Sequence, residues 1–531
     1  MNAVRTLVLL SSAASLAAVT GARAADLPVK AKAIEYVRVC SLYGAGFWYI
    51  PGTDTCIKIG GYLRVDSTFD GGGSHGQPAW SGDSGQRNRY FDYFVSRSRM
   101  ALQVDTRTAT EYGVVRTYAQ ANFQFNNFGT ANNAVIGAAP VIPNGLSGSF
   151  LNGVGGGYVA VEYLYIQFAG FTFGHSASAY ETPWQEAPAN ISSFILGGHG
   201  QNTDTGVNNI QYTAQFSNGV TGTIALEDPS VQDRTSVYNL STGLNAVGTS
   251  GYAYGGTHAP DVVGNLKVDQ DWGRFQLSAA AHEVDASYNI LGAGAVPTNL
   301  SEISGHPDTK WGGSVQAALN LRNIPTGPGD DIKIEGSYAK GLTKNIIATS
   351  APSPNFAMFG GSGRAYQSVG FGATTDAAFL PVFNGGTGDL KLTEAWGFRG
   401  SFTHNWDAYW NSSIFGTGSW VHYNGTVGDL TTAKGQYCFQ YMASNKLSAA
   451  AGTISADFSC NPDFAVFQIG FNTKWTPVKN LTFTGELQYV HLDQNFAGTA
   501  VLTPSAPKPT ASYEFKDQNT LLLQVRAQRN F

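Results

Sequence analysis

Charge is scarce in this sequence. Asp, Glu, Lys and Arg make up only 13% of its 531 residues, and the formal net charge is −5. A nucleic-acid partner would require a basic face, so that class is excluded. Long apolar runs are absent beyond residue 19. A helix needs roughly 20 apolar residues to span a bilayer, so no helical span is expected. Catalytic signatures are missing too. No G-x-S-x-G, H-E-x-x-H or P-loop pattern occurs, and no Ser/His/acid set stands out by spacing. The 9 His carry no metal-ligand spacing, and the 4 Cys do not match zinc-site patterns. Asp269-Gln270-Asp271-Trp272-Gly273 resembles a calcium loop in its acids but falls at a short turn, and a plain turn accounts for it. No enzyme, cofactor or metal site is expected.

Glycine and aromatic residues are plentiful: 64 Gly, 31 Phe, 25 Tyr and 10 Trp. That composition favours sheet and turns. At the N-terminus Arg5 precedes an apolar run from about Leu7 to Val19, followed by Ala22-Arg23-Ala24, an A-x-A cleavage pattern. Residues 1–24 therefore read as a secretory signal peptide, with the mature chain starting near Ala25. Loss of Arg5 and Arg23 takes the net charge from −5 to −7. An exported chain meets an oxidising compartment, and an even cysteine count points to disulfides. Four cysteines allow three connectivities. The local one is expected: Cys40 with Cys56, and Cys438 with Cys460 in a loop-like stretch.

Period-two alternation recurs along the chain. Near Ile57–Phe69, Ile59, Leu63, Val65 and Phe69 face one way, and Lys58, Tyr62, Arg64 and Asp66 the other. Near Tyr90–Asp105, Met100, Leu102 and Val104 oppose Arg97, Arg99, Gln103 and Asp105. Near Tyr112–Phe125, Val115, Ala119 and Phe123 oppose Arg116, Tyr118 and Gln120. Sixteen such runs can be read, the last from Gln518 to Phe531. There Leu522 intrudes on the polar face and Arg529 on the apolar one.

Short turns alternate with long segments near 70–89, 126–157, 176–208, 228–261, 285–310, 341–393, 424–463 and 493–517. The long segments are rich in Gly, Ser, Thr, Asn and Pro, as surface loops are. A transmembrane barrel has this rhythm, with short turns on one side and long loops on the other. Closure removes open edges, so every backbone group in lipid can pair. A propeller would repeat a motif every 40 to 50 residues or so, and none is found. Mean hydropathy near zero is compatible, because only alternate strand residues meet lipid. The expected fold is all-β: a 16-stranded antiparallel transmembrane β-barrel over residues 57–531. An extension with the first cysteine pair, residues 25–56, would lie on the short-turn side.

The segment Val37–Arg64, VRVCSLYGAGFWYIPGTDTCIKIGGYLR, closely resembles the N-terminal signature of the alphaproteobacterial porins, the family of the Brucella and rhizobial major porins. Ser96-Arg97-Ser98-Arg99, the stretch Ile166 to Gly174 and the terminal Phe531 resemble that family as well. The middle loops do not match. The resemblance implies a multi-pass porin of a Gram-negative outer membrane, a homotrimer with a diffusion pore in each protomer. It implies that the third long loop, about 176–208, folds into the barrel. Its implied partners are outer-membrane lipids and lipopolysaccharide, small hydrophilic solutes, and the barrel-assembly machinery, which would read Phe531.

Sixteen strands leave an aqueous lumen. The lumen face must be polar, since a charge facing lipid at mid-depth costs about 2 to 4 kcal/mol. Arg64, Arg97, Arg99 and Arg116 share that face on three neighbouring strands, forming a basic wall. The infolded loop carries Tyr180, Glu181, Trp184, Glu186 and Asp204, and Glu181 and Glu186 would oppose the wall. Opposed charges set a transverse field across a constriction. The aromatic excess is read as interface girdles, not a sugar slide. The leading function is passive diffusion. Its rivals are a substrate-specific channel for a sugar or anion, and a surface adhesin using the long loops.

Overall fold

The computed structural model describes residues 38–69, 94–126, 158–185, 187–192, 206–230, 234–347, 355–505 and 508–531. The expected signal peptide, the start of the second strand, the loops near 70–89 and 126–157, Glu186 and Asp204 lie outside them.

Sixteen strands form one antiparallel sheet that closes on itself. They are β1 (Thr55–Phe69), β2 (Phe94–Thr110), β3 (Gly113–Asn126), β4 (Tyr158–Phe168), β5 (Phe171–Ser176), β6 (Val207–Gln215), β7 (Val220–Glu227) and β8 (Asp261–Gln270). There follow β9 (Gly273–Val284), β10 (Lys310–Arg322), β11 (Asp331–Lys340), β12 (Glu394–Asn405), β13 (Trp410–His422), β14 (Ser459–Val478), β15 (Leu481–Ala497) and β16 (Gln518–Asn530). Each pairs with the next, and β16 returns to β1 with Arg526 opposite Asp66. Phe531 completes the seam by exchanging two backbone hydrogen bonds with Gly61, at 3.0 and 3.3 Å. Gly61 has φ +147°, and a Cβ there would lie 1.9 Å from the Ala101 carbonyl oxygen, so glycine is required. Before β1, Trp48–Tyr49 pairs with residues 56 and 57, and Cys40 is bonded to Cys56 (Cα–Cα 6.1 Å).

The alternation sorts the wall. Ile59, Leu63, Phe123, Phe398, Ile469 and Leu523 point outward, each 42 to 54% exposed. Asp66, Gln120, Asn122, Glu335 and Gln524 point inward and are buried. Leu522 also points inward and is buried, opposite Gln488. Arg529 donates to the Lys479 carbonyl in the turn before β15. That places it at the short-turn rim, where a charge in the lipid register costs about 0 to 1 kcal/mol.

The long-loop end differs from the expectation of plain surface loops. Segments Asn355–Gly360, Gln367–Ala373, Thr499–Leu502 and Ala511–Phe515 build a second sheet, and Ser236–Asn239, Thr375–Phe379 and Leu390–Leu392 a third. A helix, Ala433–Ser444, starts at Thr432, whose side chain accepts from the Gly435 N–H. Cys438 lies on this helix and is bonded to Cys460 at the start of β14 (Cα–Cα 5.3 Å), so the second pair joins helix to strand. Phe356, Phe371, Tyr437, Tyr441, Phe496 and Phe515 meet in a shared apolar core. We call this part the cap. The outer residues of β14 and β15, among them Phe464 and Phe496, belong to it.

Candidate constriction site

The described part of the third long loop, between β5 and β6, is folded into the barrel and held at two points by carboxylates of the wall. Glu227, which ends β7, accepts from the Ser178 hydroxyl and the Ala179 N–H, both at 2.7 Å. Glu486 on β15 accepts from the Ile191 N–H at 2.6 Å, the Ser192 N–H at 3.0 Å and the Asn472 amide at 2.9 Å. Both carboxylates are buried. Hydrogen bonds to a charged group contribute about 1.5 to 3 kcal/mol each. Between the anchors, the loop's carbonyls have no sheet partner and must find donors. Asn265 donates to Ala179 O (2.6 Å), Gln276 to Glu181 O (2.6 Å), Lys333 to Pro188 O (2.8 Å) and Arg526 to Ile191 O (2.7 Å). The polar lumen face that alternation creates is therefore also the loop's docking surface.

The loop residues take different places. Tyr180 is 1% exposed and packs beside Ser314, Ser337 and Glu335, so it anchors the loop and does not line an opening. Glu181 and Trp184 line a cavity of about 700 Å³ that also contains Arg116. Glu186 and Asp204 are not among the described residues.

The four arginines form two groups, not one wall. Arg97 pairs with one oxygen of Asp66 at 2.9 Å, and Arg526 with the other at 2.5 Å. Arg64 donates to Gln528 (2.8 Å), and Arg99, its strand partner, donates to Gln124 (3.0 Å). Arg64, Arg97, Arg99 and Arg526 thus gather around Asp66. Arg64 and Arg526, with Lys474 and loop residues Asn190 to Ser192, line a cavity of about 270 Å³. Arg116 stands apart. Its strand partner is Arg107, eight residues along β2 from Arg99, a separation of about 27 Å. There Arg107 and Arg116 both pair with Asp105 at 3.0 Å. The cause is register: Arg116 lies in the first few residues of β3, just after a tight turn, whereas Arg97 and Arg99 lie at the far end of β2.

Sequence reasoning missed Asp66 as the hub, Arg526 as its second cation, and both loop anchors. Alternation marks Asp66, Glu486 and Arg526 as lumen-facing, which is the only local signal they carry. Asp66 and Arg526 are 460 residues apart and meet only because β16 closes onto β1. Removing one partner would leave a buried charge, at a cost of about 3 to 5 kcal/mol.

Comparison with known proteins agrees with the fold. A family model described as "Porin subfamily" matches residues 26–523. Porin Omp2b of Brucella suis and of Brucella melitensis are each 29% identical over 374 residues, covering 70% of this chain and 82% of theirs. The outer membrane channel DcaP of Acinetobacter baumannii shares the fold, with a TM-score of 0.54 and 12% identity over 91% of this chain and 99% of that one.

Proposed function

This chain belongs to the porin subfamily, and on that premise we propose that the cluster around Asp66 and the infolded loop form its selective constriction. The protein is a Gram-negative outer-membrane channel for passive diffusion of small hydrophilic solutes and ions. Its relatives are channels and not enzymes, and we read no catalytic step into this one. The observation that carries the constriction is the loop docked on Glu227 and Glu486, because it narrows a lumen that sixteen strands would leave wide.

The cluster holds Arg64, Arg97, Arg99 and Arg526 against Asp66, an excess of positive charge that favours anions in transit. Glu181 lies on the Arg116 side, which supports a separate role for that group. Two further copies of the chain, outer-membrane lipid, lipopolysaccharide and the assembly machinery complete the proposed setting. The Phe531 backbone pinned to Gly61 is consistent with an end-of-barrel signal.

Recording in planar bilayers tests this. Stepwise openings are expected, and their absence would refute the channel. One unit charge at about 10 Å in water is worth about 0.4 kcal/mol, or about twofold for a single ion. Each lost charge weakens the pull on anions and the push on cations about twofold apiece, so Arg64→Gln with Arg99→Gln should lower the anion-to-cation permeability ratio about sixteenfold, read from the zero-current potential in a salt gradient. Arg116→Gln, already paired with Asp105, should move it less. An unchanged potential in the double variant would overturn the placement.

A further inference from the structure

We propose that the lumen carries a weak binding subsite for neutral ring sugars, a monosaccharide or disaccharide, on the β3–β4 wall beneath the third loop. The proposal rests on the channel reading and adds a preferred solute class to it. Its cavity, about 700 Å³, lies within the range of small-molecule sites.

Three tyrosines form a ladder on one wall of that cavity. Tyr118 on β3 stacks with Tyr165 on β4, ring centroids 5.3 Å apart at 26°, and meets Tyr163 at 6.3 Å. They face the lumen, so an aromatic girdle at the lipid interface does not account for them. The strand pairing slips between Gln120 and Ala121, beside Tyr163. Such irregularities are over-represented next to functional sites, because they re-aim side chains.

The remaining lining is mostly neutral, with Glu181 and Lys267 as its charges besides Arg116. Gln103, Gln120, Gln167, Gln211, Thr213 and Thr223 line the cavity beside the ladder. Each amide both donates and accepts. Arg116 lies over the Tyr118 and Tyr165 rings at 5.1 and 5.7 Å, paired with Asp105, which it shares with Arg107, and held by Gln167, so the group keeps one net positive charge. Arg116 props the rings. On the loop, the Trp184 indole N–H is buried without an acceptor among the described residues. A buried donor without a partner costs free energy, which a ligand hydroxyl would recover.

A sugar ring fits this set. Its C–H face stacks on tyrosine, gaining dispersion contacts. Its hydroxyls exchange hydrogen bonds with the amides and with Trp184. Being neutral, it sheds water at modest cost.

The test uses the full-length protein in a planar bilayer, with maltose as probe. The current should fall saturably as maltose is added, with half-block in roughly the millimolar range. Block is expressed relative to each variant's own open current. Tyr118→Ala with Tyr165→Ala should raise the half-block concentration about tenfold. Trp184→Phe, which keeps a ring and loses the N–H, should raise it about threefold. That variant also decides the question if the double variant fails to insert. A linear fall equal to that in viscosity-matched glycerol would overturn the subsite, and so would equal half-block in wild type and variants. Stepwise openings without saturable block refute the subsite alone, whereas absent openings refute the channel itself.

Discussion

Leu523 on β16 and Phe371 in the cap are both large apolar side chains, yet Leu523 is 42% exposed and Phe371 only 2%. The difference lies in their solvent. Around the barrel that solvent is hydrocarbon, which gains nothing from burying a leucine and demands only that every backbone group be paired. The cap stands in water and must bury its aromatics to hold together. Phe371 meets Tyr441 at 5.9 Å, Phe496 at 4.7 Å and Phe515 at 6.0 Å. Phe371, Tyr441 and Phe515 come from three separate connections between barrel strands, and Phe496 from the end of β15. Long loops that share one core are not free to move or vary singly. One chain thus holds an inside-out barrel and an ordinary core, joined where β14 and β15 pass from lipid into water.

Substitution can separate the two regions. Phe371→Ala should have the largest effect, removing about 3 to 5 kcal/mol from the cap. Limited proteolysis should then cut the long loops while the barrel keeps its heat-modifiable migration on gels. Loss of both together would mean that cap and barrel fold as one unit. Leu523→Arg should cost the barrel about 2 to 4 kcal/mol, read as a lower urea midpoint in lipid vesicles, with the cap no more sensitive to protease. A neutral outcome would place Leu523 away from hydrocarbon.

The smallest effect probes the barrel's other end. Asp330, in the turn before β11, accepts from Thr326 (2.6 Å), Asn405 N–H (2.8 Å) and His404 (2.7 Å). The Thr326 hydrogen bond comes first in holding its carboxyl down at about 2. An unfolded Asp titrates near 3.9. A depressed carboxylate contributes fully above about pH 4, and that contribution disappears as pH falls through about 2. Asp330→Asn should lower the urea midpoint at pH 7 and make no difference well below pH 2. A difference that persists in acid would assign the effect to packing and not to charge.

The barrel was legible because its code is local. The runs expected near Ile57–Phe69, Tyr112–Phe125 and Gln518–Phe531 are observed as Thr55–Phe69, Gly113–Asn126 and Gln518–Asn530. The cap was not legible for the same reason. Its strands Gln367–Ala373 and Thr375–Phe379 are buried along nearly their whole length, on both faces, and show no alternation. A short run of small and apolar residues such as VGFGATTDAAF reads as a glycine-rich loop. The helix carrying Cys438 contains Gly435 and lacks a long apolar stripe, so it too reads as loop.

By itself, the sequence determined the sixteen crossings, the side each residue faces, and the local pairing of the cysteines. Those follow from the pleat, which repeats every two residues, and from short distances along the chain. Tertiary structure alone decided that Asp66 would join Arg97 to Arg526, that Arg116 would leave their company for Asp105, and that Glu227 and Glu486 would anchor the third loop. Those contacts depend on register and on closing β16 against β1. Neither is written in any one strand, because each is set by how sixteen of them fit together.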